Sequence, residues 1–348
     1  MENGRDALGY RQDLMRFTAG DGRPCNLIHV TTEKPPHKGP VLLVHGAGVR
    51  ANIFRAPVRE TVVDYLLAEG WDVWLENWRA SIDLPPAHWV LDEAAIFDHP
   101  VAIEEVARRT GSQTVKALVH CQGSTSFTMA LAAGLLPRVD VVVSNAVSLH
   151  PVVPAWSHFK LAYTVPLLQR VTDHLDPEWG NGGASLIGTS IRALVDATHH
   201  ECNNSVCRLV SFTYGSGFPA LWSHDLINEE THQWLCNEFG FVPLTFFRQM
   251  GNSVRRGQLT PTGRFAQVPP DFLTTLRTRA RFALFAGARN LCFLAESQER
   301  TFRYLRMNSE RRDHTLHVLP EYGHLDVFMG RYAATDIFPL IASELDRN

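Results

Sequence analysis

Apolar residues follow two rhythms along this chain: short unbroken runs, and longer stretches in which they recur three or four apart. Leu14 to Thr32 reads as two short strands about the turn Gly20–Pro24. Beyond the linker Lys34-Pro35-Pro36-His37-Lys38-Gly39-Pro40, the run Val41-Leu42-Leu43-Val44 has the length and flanking turn residues of a strand buried on both faces of a parallel sheet. Helical spacing at Val58 to Ala68 precedes a strand at Trp71 to Leu75 and a helix at Ala95 to Arg109. A strand at Val115 to His120, a helix at Thr125 to Leu136 and a strand at Val139 to Asn145 follow. Such alternation predicts a mostly parallel sheet with helices on both faces.

From His150 to Arg279 the rhythm is lost in a stretch rich in Trp, Phe, Gly, Asn and His. It returns with Phe282 to Ala286 (strand), Glu296 to Arg306 (helix), Thr315 to Leu319 (strand) and Arg331 to Leu345 (helix). The expected organisation is an α/β core from 1–149 and 280–348, with 150–279 inserted before the last two strands as a cap. That cap is expected over the C-terminal strand ends, where open α/β sheets bind ligands.

Composition narrows the function. Of 348 residues, 45% are hydrophobic and 20% charged, enough apolar content for a large core and against disorder. Lys plus Arg is 33 against 36 Asp plus Glu, which lacks the basic surplus of a nucleic-acid binder. No apolar run reaches a bilayer span, and the start MENGRDALGYRQDL has no signal-like apolar stretch. Six cysteines are too sparse for a disulfide scaffold, so free thiols in the cytoplasm are expected.

The candidate chemistry begins at Ala117-Leu118-Val119-His120-Cys121-Gln122-Gly123-Ser124-Thr125, where an expected strand runs directly into an expected helix. In the nucleophile elbow G-x-S-x-G, a sharp turn of this kind lifts the nucleophile above the sheet. Gly123 fills the second glycine slot, Val119 stands in the first, and Cys121 occupies the nucleophile position. Ser124 would need glycines where Gln122 and Ser126 stand, so Cys121 is the candidate nucleophile. A thiol suits the place: its free pKa is only about 8.5, and a helix N-terminus favours the anion. The plain alternative is a small residue packed beneath the helix. The loop His45-Gly46-Ala47-Gly48 follows the strand 41–44, and backbone N–H groups of Ala47 and Gln122 are expected to hold an oxyanion. His324, in the loop after the last strand, is the candidate general base. His45, Gly46, His120 and His224 are candidate substrate contacts, with Asp225 beside the last of these.

HGAG at 45–48, the VHCQGS elbow at 119–124 and GHLD at 323–326 together resemble an α/β-hydrolase over nearly the whole chain. Asn77-Trp78-Arg79 and Phe97-Asp98-His99-Pro100 are similar to segments of its acid-lipase branch. GARNLCFL at 287–294 and CRLVSFTYG at 207–215 are most similar to the hydrolase segment fused to some GMC-type, cholesterol-oxidase-like flavoproteins. The resemblance implies a third catalytic member after the strand ending at Ala286, where Asn290 stands in the slot usually held by Asp or Glu. Asn290 could orient the imidazole through its side-chain carbonyl, as in Cys-His-Asn sites. It could instead only cap a turn, with Glu296 as the carboxylate; Asp326 is expected to serve the helix that follows it.

His199-His200-Glu201-Cys202 followed by Cys207 offers ligand-type residues, but no second ligand pair is evident and no metal is assigned. Thirteen aromatic residues between Trp156 and Phe247 are expected partly to pack the cap and partly to line an apolar pocket. The expected activity is acyl transfer through an S-acyl Cys121, most simply hydrolysis of an ester, thioester or lactone with an apolar acyl group. Passing the acyl group to an amine or alcohol, as an acyltransferase or cyclase, is one alternative; a non-covalent lyase or ligand binder is the other. No cofactor is called for, the partner is a small acyl substrate, and a homodimer is left open.

Overall fold

A computed structural model describes residues 10–182, 185–200, 202–217 and 220–347. Glu201 and Phe218, named among the candidate ligands and cap aromatics, lie outside the described residues. The main sheet holds β1 (Arg11–Thr18), β2 (Pro24–Thr31), β3 (Pro40–Val44), β4 (Asp72–Asn77), β5 (Val115–His120), β6 (Val139–Asn145), β9 (Arg281–Gly287) and β10 (Thr315–Leu319). Two short strands, β7 (His174–Leu175) and β8 (Val242–Pro243), pair with each other outside it. The spatial order of the sheet is β1-β2-β4-β3-β5-β6-β9-β10. β2 runs antiparallel to β1 and β4, and the strands from β4 onward are mutually parallel. Every residue of β3 and β9 is buried, because helices cover both faces; this is why they read as unbroken apolar runs rather than alternating ones.

Three of the boundaries that differ from the expected ones have a clear local reason. The first expected helix starts at Val62 rather than Val58, because Thr61 caps it: its hydroxyl accepts from Asp64 N–H while the Asp64 carboxylate accepts from Thr61 N–H. The helix expected at Thr125–Leu136 is Cys121–Ala132, which begins on the residue after β5 with no intervening loop. The last helix is broken into Ala333–Asp336 and Phe338–Asp346. Pro339 lies in the first turn of the second piece, where its missing N–H costs nothing.

Among the described residues between β6 and β9, none joins the main sheet. That stretch folds mainly as the helices Ala155–Phe159, Val165–Leu168, Leu186–Thr198, Ser205–Tyr214, Glu229–Trp234 and Leu244–Arg256. A wider π-helical turn, Lys160–Thr164, joins the first two. The Asn77-Trp78-Arg79 and Asp98-His99 segments serve the scaffold. The Arg79 guanidinium donates to the Asp98 carboxylate (Nε–Oδ1 3.0 Å) with both groups buried, and Trp78 Nε1–H donates to the His45 carbonyl at 2.9 Å. Asn77 Oδ1 accepts Ala51 N–H at 2.8 Å.

Candidate active site

Cys121 takes up φ 53° at the junction of β5 with its following helix; among the described residues only one other non-glycine, Ala146, has a positive φ. A side chain in the left-handed region costs energy of the order of 1–3 kcal/mol, so the surrounding fold must hold it there. Gly123 allows the close approach that does so. A Cβ on Gly123 would lie 2.2 Å from the His45 carbonyl oxygen, and one on Gly46 would lie 3.0 Å from Cys121 Cβ. The 45–48 loop therefore lies directly against the elbow. The backbone N–H groups of Ala47 and Gln122 converge, and both donate to the Cys121 thiol. Ser124 has no access to this space: it is fully buried, and its hydroxyl bonds the Val147 carbonyl at 2.5 Å and Ser144 Oγ at 2.6 Å.

The electrostatics differ from the sequence expectation. Burial pushes the Cys121 thiol up to about 12, against the opposing pull of the two N–H groups. Desolvation thus outweighs the helix terminus, and the resting group is a thiol rather than a thiolate.

His324 follows β10 and is almost wholly buried. A ring nitrogen of His324, one of His120 and the Cys121 sulfur all lie within 4.8 Å of one another. Asn290 does reach the imidazole, but not through its carbonyl. Asn290 Oδ1 accepts Cys292 N–H at 2.9 Å and Phe293 N–H at 3.0 Å. Those two donors fix the amide orientation, so Nδ2 faces His324 Nδ1 at 2.9 Å. An amide nitrogen can only donate, so Nδ1 must be the unprotonated nitrogen and the imidazole proton sits on Nε2. Burial drives the His324 pKa down to about 3, keeping it neutral.

The remaining candidates separate by position. Glu296 pairs with Arg300 at 2.8 Å on a solvent-facing helix, so it is not the third member. Asp326 starts the helix Asp326–Met329 and accepts Gly323 N–H at 2.8 Å and Ser223 N–H at 3.0 Å; it shapes the His324 loop. His120 Nδ1 accepts from Asn145 Nδ2 at 3.0 Å, and its ring packs 4.6 Å from that of His324. His45 bonds the Gly46 carbonyl through Nδ1 at 2.6 Å. Neither histidine lines the pocket in front of Cys121, nor does Gly46 or His224, although all four were expected as substrate contacts. Asp225 is exposed beside Arg289.

That pocket has Cys121 and Gln122 at its floor and apolar walls from Leu161, Val165, Leu168, Phe246, Phe247 and Phe293. Of the thirteen aromatic residues picked out, Phe212, Tyr214, Phe246 and Phe247 line it. Trp179, Trp222 and Phe239 are buried elsewhere, whereas Trp156, Phe159 and Tyr163 are exposed. Polar residues of the pocket include Tyr214, expected only as a cap aromatic, and Cys292 and Lys160, given no role from sequence. Tyr214 donates its hydroxyl to the Ala47 carbonyl at 3.1 Å, bracing the 45–48 loop. Cys292 donates its thiol to the Tyr214 carbonyl at 3.0 Å. Lys160 donates to the carbonyls of Phe212, at 2.7 Å, and Gly215, and burial lowers its amine to about 8. Tyr214 lies in the 207–215 run and Cys292 in the 287–294 run quoted above, but neither run signals these contacts, and nothing in the sequence marks Lys160.

This architecture, with its elbow after β5 and its histidine after β10, is the α/β-hydrolase fold. Similar solved structures agree: a monoacylglycerol lipase from Paleococcus ferrophilus (TM-score 0.58, 14% identity, 97% of this chain and 99% of that one) and an esterase from Thermogutta terrifontis (TM-score 0.54, 12% identity, 96% and 98%). No known family profile matches the chain. In sequence it is similar to human Lipase member K, 29% identical over 157 residues, which cover 42% of this chain and 37% of that protein. Gastric triacylglycerol lipase of Bos taurus is 28% identical over 134 residues, 34% of each chain. The chain thus spans little more than a third of the length of these two relatives. A Schizosaccharomyces pombe protein named as a lipase is 22% identical over 98% of this chain and 78% of its own.

Proposed function

We propose that this protein cleaves an ester, thioester or lactone carrying an apolar acyl group, through an S-acyl intermediate on Cys121, with residues 150–279 as the cap over the site. One observation carries the reading: the Cys121 sulfur, held at a strained elbow, receives two converging N–H groups at the floor of an apolar pocket. The lipase and esterase likenesses support ester cleavage, and the pocket walls support the apolar acyl group.

In the reaction, the sulfur attacks the carbonyl carbon, and the carbonyl oxygen becomes an oxyanion held by Ala47 and Gln122 N–H. The thiol proton passes to His324 Nε2 and then to the leaving alcohol or thiol as the C–O or C–S bond breaks. Water, or an amine or alcohol in an acyl transfer, then attacks the S-acyl carbon and gives its proton to the same nitrogen; the C–S bond breaks, and that proton returns to the departing Cys121 sulfur to restore the thiol. For the first step Nε2 must be free, so the imidazole proton must move to Nδ1. Half a turn of the Asn290 amide presents Oδ1 to Nδ1–H, at the loss of two backbone hydrogen bonds worth about 1–3 kcal/mol together. On this reading the unliganded site rests in an inactive protonation state that substrate must shift.

That same resting state favours a second reading, in which the pocket holds an apolar ligand or runs lyase chemistry without acylation. Intact mass separates the two. After incubation with activated esters and acyl thioesters, a gain of one acyl group that requires Cys121 establishes the covalent route. Its decay in water or only with an added amine or alcohol distinguishes hydrolysis from transfer. No adduct with any donor, and identical behaviour of Cys121→Ala, would leave the non-covalent reading.

A further inference from the structure

Outside the catalytic centre, the fold joins four side chains that the sequence leaves scattered. Cys202 and Cys207 flank the start of the helix Ser205–Tyr214. His224 lies in the loop beyond Trp222, and His232 in the helix Glu229–Trp234. One ligand atom from each converges, with no pair further apart than 4.8 Å. The sequence reading saw only the cysteine end of this group and assigned no metal. The fold supplies the missing pair, His224 and His232.

The spacing within the group is the informative quantity. His224 Nε2 and His232 Nε2 are 3.3 Å apart. Cys207 Sγ lies 3.6 Å from His224 Nε2, and Cys202 Sγ lies 3.7 Å from His232 Nε2. A tetrahedral zinc ion, with bonds of about 2.0–2.1 Å to nitrogen and about 2.3 Å to sulfur, has edges of about 3.3 Å between nitrogens, about 3.6 Å between nitrogen and sulfur and about 3.8 Å between sulfurs. Each of the three measured spacings lies within about 0.1 Å of the matching edge. Each sulfur faces an imidazole nitrogen, and replacing the two thiol protons by one cation lets all four atoms act as ligands at once.

The surroundings are those of a supported site. Asn204 N–H is directed at Cys202 Sγ at 3.4 Å, and its side-chain oxygen accepts Cys207 N–H at 3.0 Å, fixing both cysteines to the helix start. Arg208 donates to the Cys202 carbonyl at 2.5 Å and pairs with Asp196 at 3.1 Å, tying the same turn to the neighbouring helix. These are contacts of the kind that orient ligands around structural metals.

We infer that Cys202, Cys207, His224 and His232 form a tetrahedral zinc(II) site. Binding releases one proton from each thiol, so that two thiolates and two neutral imidazoles surround the dication with no net charge. All four positions are then protein ligands, which makes the site structural rather than catalytic. It has a route to the active site, because the loop bearing His224 touches the loop bearing His324. Leu325 N–H donates to the Leu221 carbonyl at 2.8 Å, and Ser223 N–H donates to Asp326 at 3.0 Å. Zinc therefore ties the inserted helices to the strand-end loop that carries the catalytic imidazole.

The test is metal content and spectroscopy on the full-length protein. Protein made in zinc-supplemented medium and freed of loose metal is expected to hold one zinc per chain by mass spectrometry. Titration with a mercurial should release that zinc as two thiols react. Cobalt(II) exchanged into the site should show the ligand-field and sulfur-to-metal charge-transfer absorption of a tetrahedral two-sulfur, two-nitrogen centre. Cys207→Ser and His232→Ala should each lose zinc, whereas His232→Cys, which keeps a ligand in place, should retain it. Cys121→Ser should keep it as well, because Cys121, His120 and His324 form a separate group. If Cys207→Ser does not fold, the mercurial titration of the wild type decides the question. Zinc well below one per chain, a Cys202–Cys207 disulfide by peptide mapping, or zinc lost with Cys121→Ser would overturn the assignment.

Discussion

Asn290 donates its side-chain N–H to His324 Nδ1 across 2.9 Å, because Cys292 and Phe293 N–H groups already hold its carbonyl oxygen. A residue in the slot of a catalytic acid thus enforces the opposite imidazole tautomer from the one a general base needs. Asn290→Asp should reverse this. One carboxylate oxygen can keep the two backbone donors while the other accepts from Nδ1–H, freeing Nε2. Ester cleavage and Cys121 alkylation near neutral pH should rise by about tenfold or more, the equivalent of about 1.4 kcal/mol. An equal or slower variant would show that the tautomer does not limit the site.

Alkylation of Cys121 should keep rising with pH far above neutrality, because burial pushes its thiol up to about 12. The linkage sign follows: the folded pKa is raised, so the stability it contributes is full below the unfolded value and is lost as pH climbs from there toward about 12. Iodoacetamide kinetics across pH 7 to 11, with peptide mapping to isolate Cys121, would check this. A plateau near neutral pH would mean that a thiolate is already present.

The acid limb has the opposite sign. Burial lowers His324 and His45 each to about 3. Both must stay neutral in the fold, so their contribution is present above the unfolded histidine value and is lost as pH falls from about 6.5 toward 3. Urea midpoints should drop steadily over that range. His324→Gln should flatten part of the drop, and an unchanged slope would remove His324 as a source.

Gly123→Ala should cost stability and activity together. Its Cβ would lie 2.2 Å from the His45 carbonyl oxygen, forcing the oxyanion loop off the elbow. Overpacking of this kind typically costs about 1–3 kcal/mol. Gly46→Ala should be milder in stability yet still slow the reaction, because the new methyl would lie 3.4 Å from Cys121 Sγ. Denaturation and turnover of both variants would test the ordering.

Ser124→Ala should leave any acyl adduct on Cys121 intact while lowering stability. Its hydroxyl serves only a buried network with Ser144 and the Val147 carbonyl, and stranding those partners costs about 1–3 kcal/mol. Loss of the adduct at unchanged stability would instead point to Ser124 as the nucleophile.

What the sequence determined by itself is local. Apolar runs bounded by turn residues specify buried parallel strands, and a strand running directly into a helix at Cys121-Gln122-Gly123 specifies the elbow. Those signals lie within a few consecutive residues, so period and spacing reveal them. The position of His324 after the last strand marked it as the candidate base, but that its ring and that of His120 lie beside Cys121, while His224 does not, depends on segments far apart in the chain. The state of the thiol was decided by desolvation, which no local motif measures and which here outweighs the helix terminus. The direction of the Asn290 amide was decided by two backbone N–H groups two and three residues on, and only a fixed backbone aims them. The cluster of Cys202, Cys207, His224 and His232 came from the same source: the sequence offers the two cysteines and His224 separately, and their spacing with His232 exists only once the helices that carry them have packed.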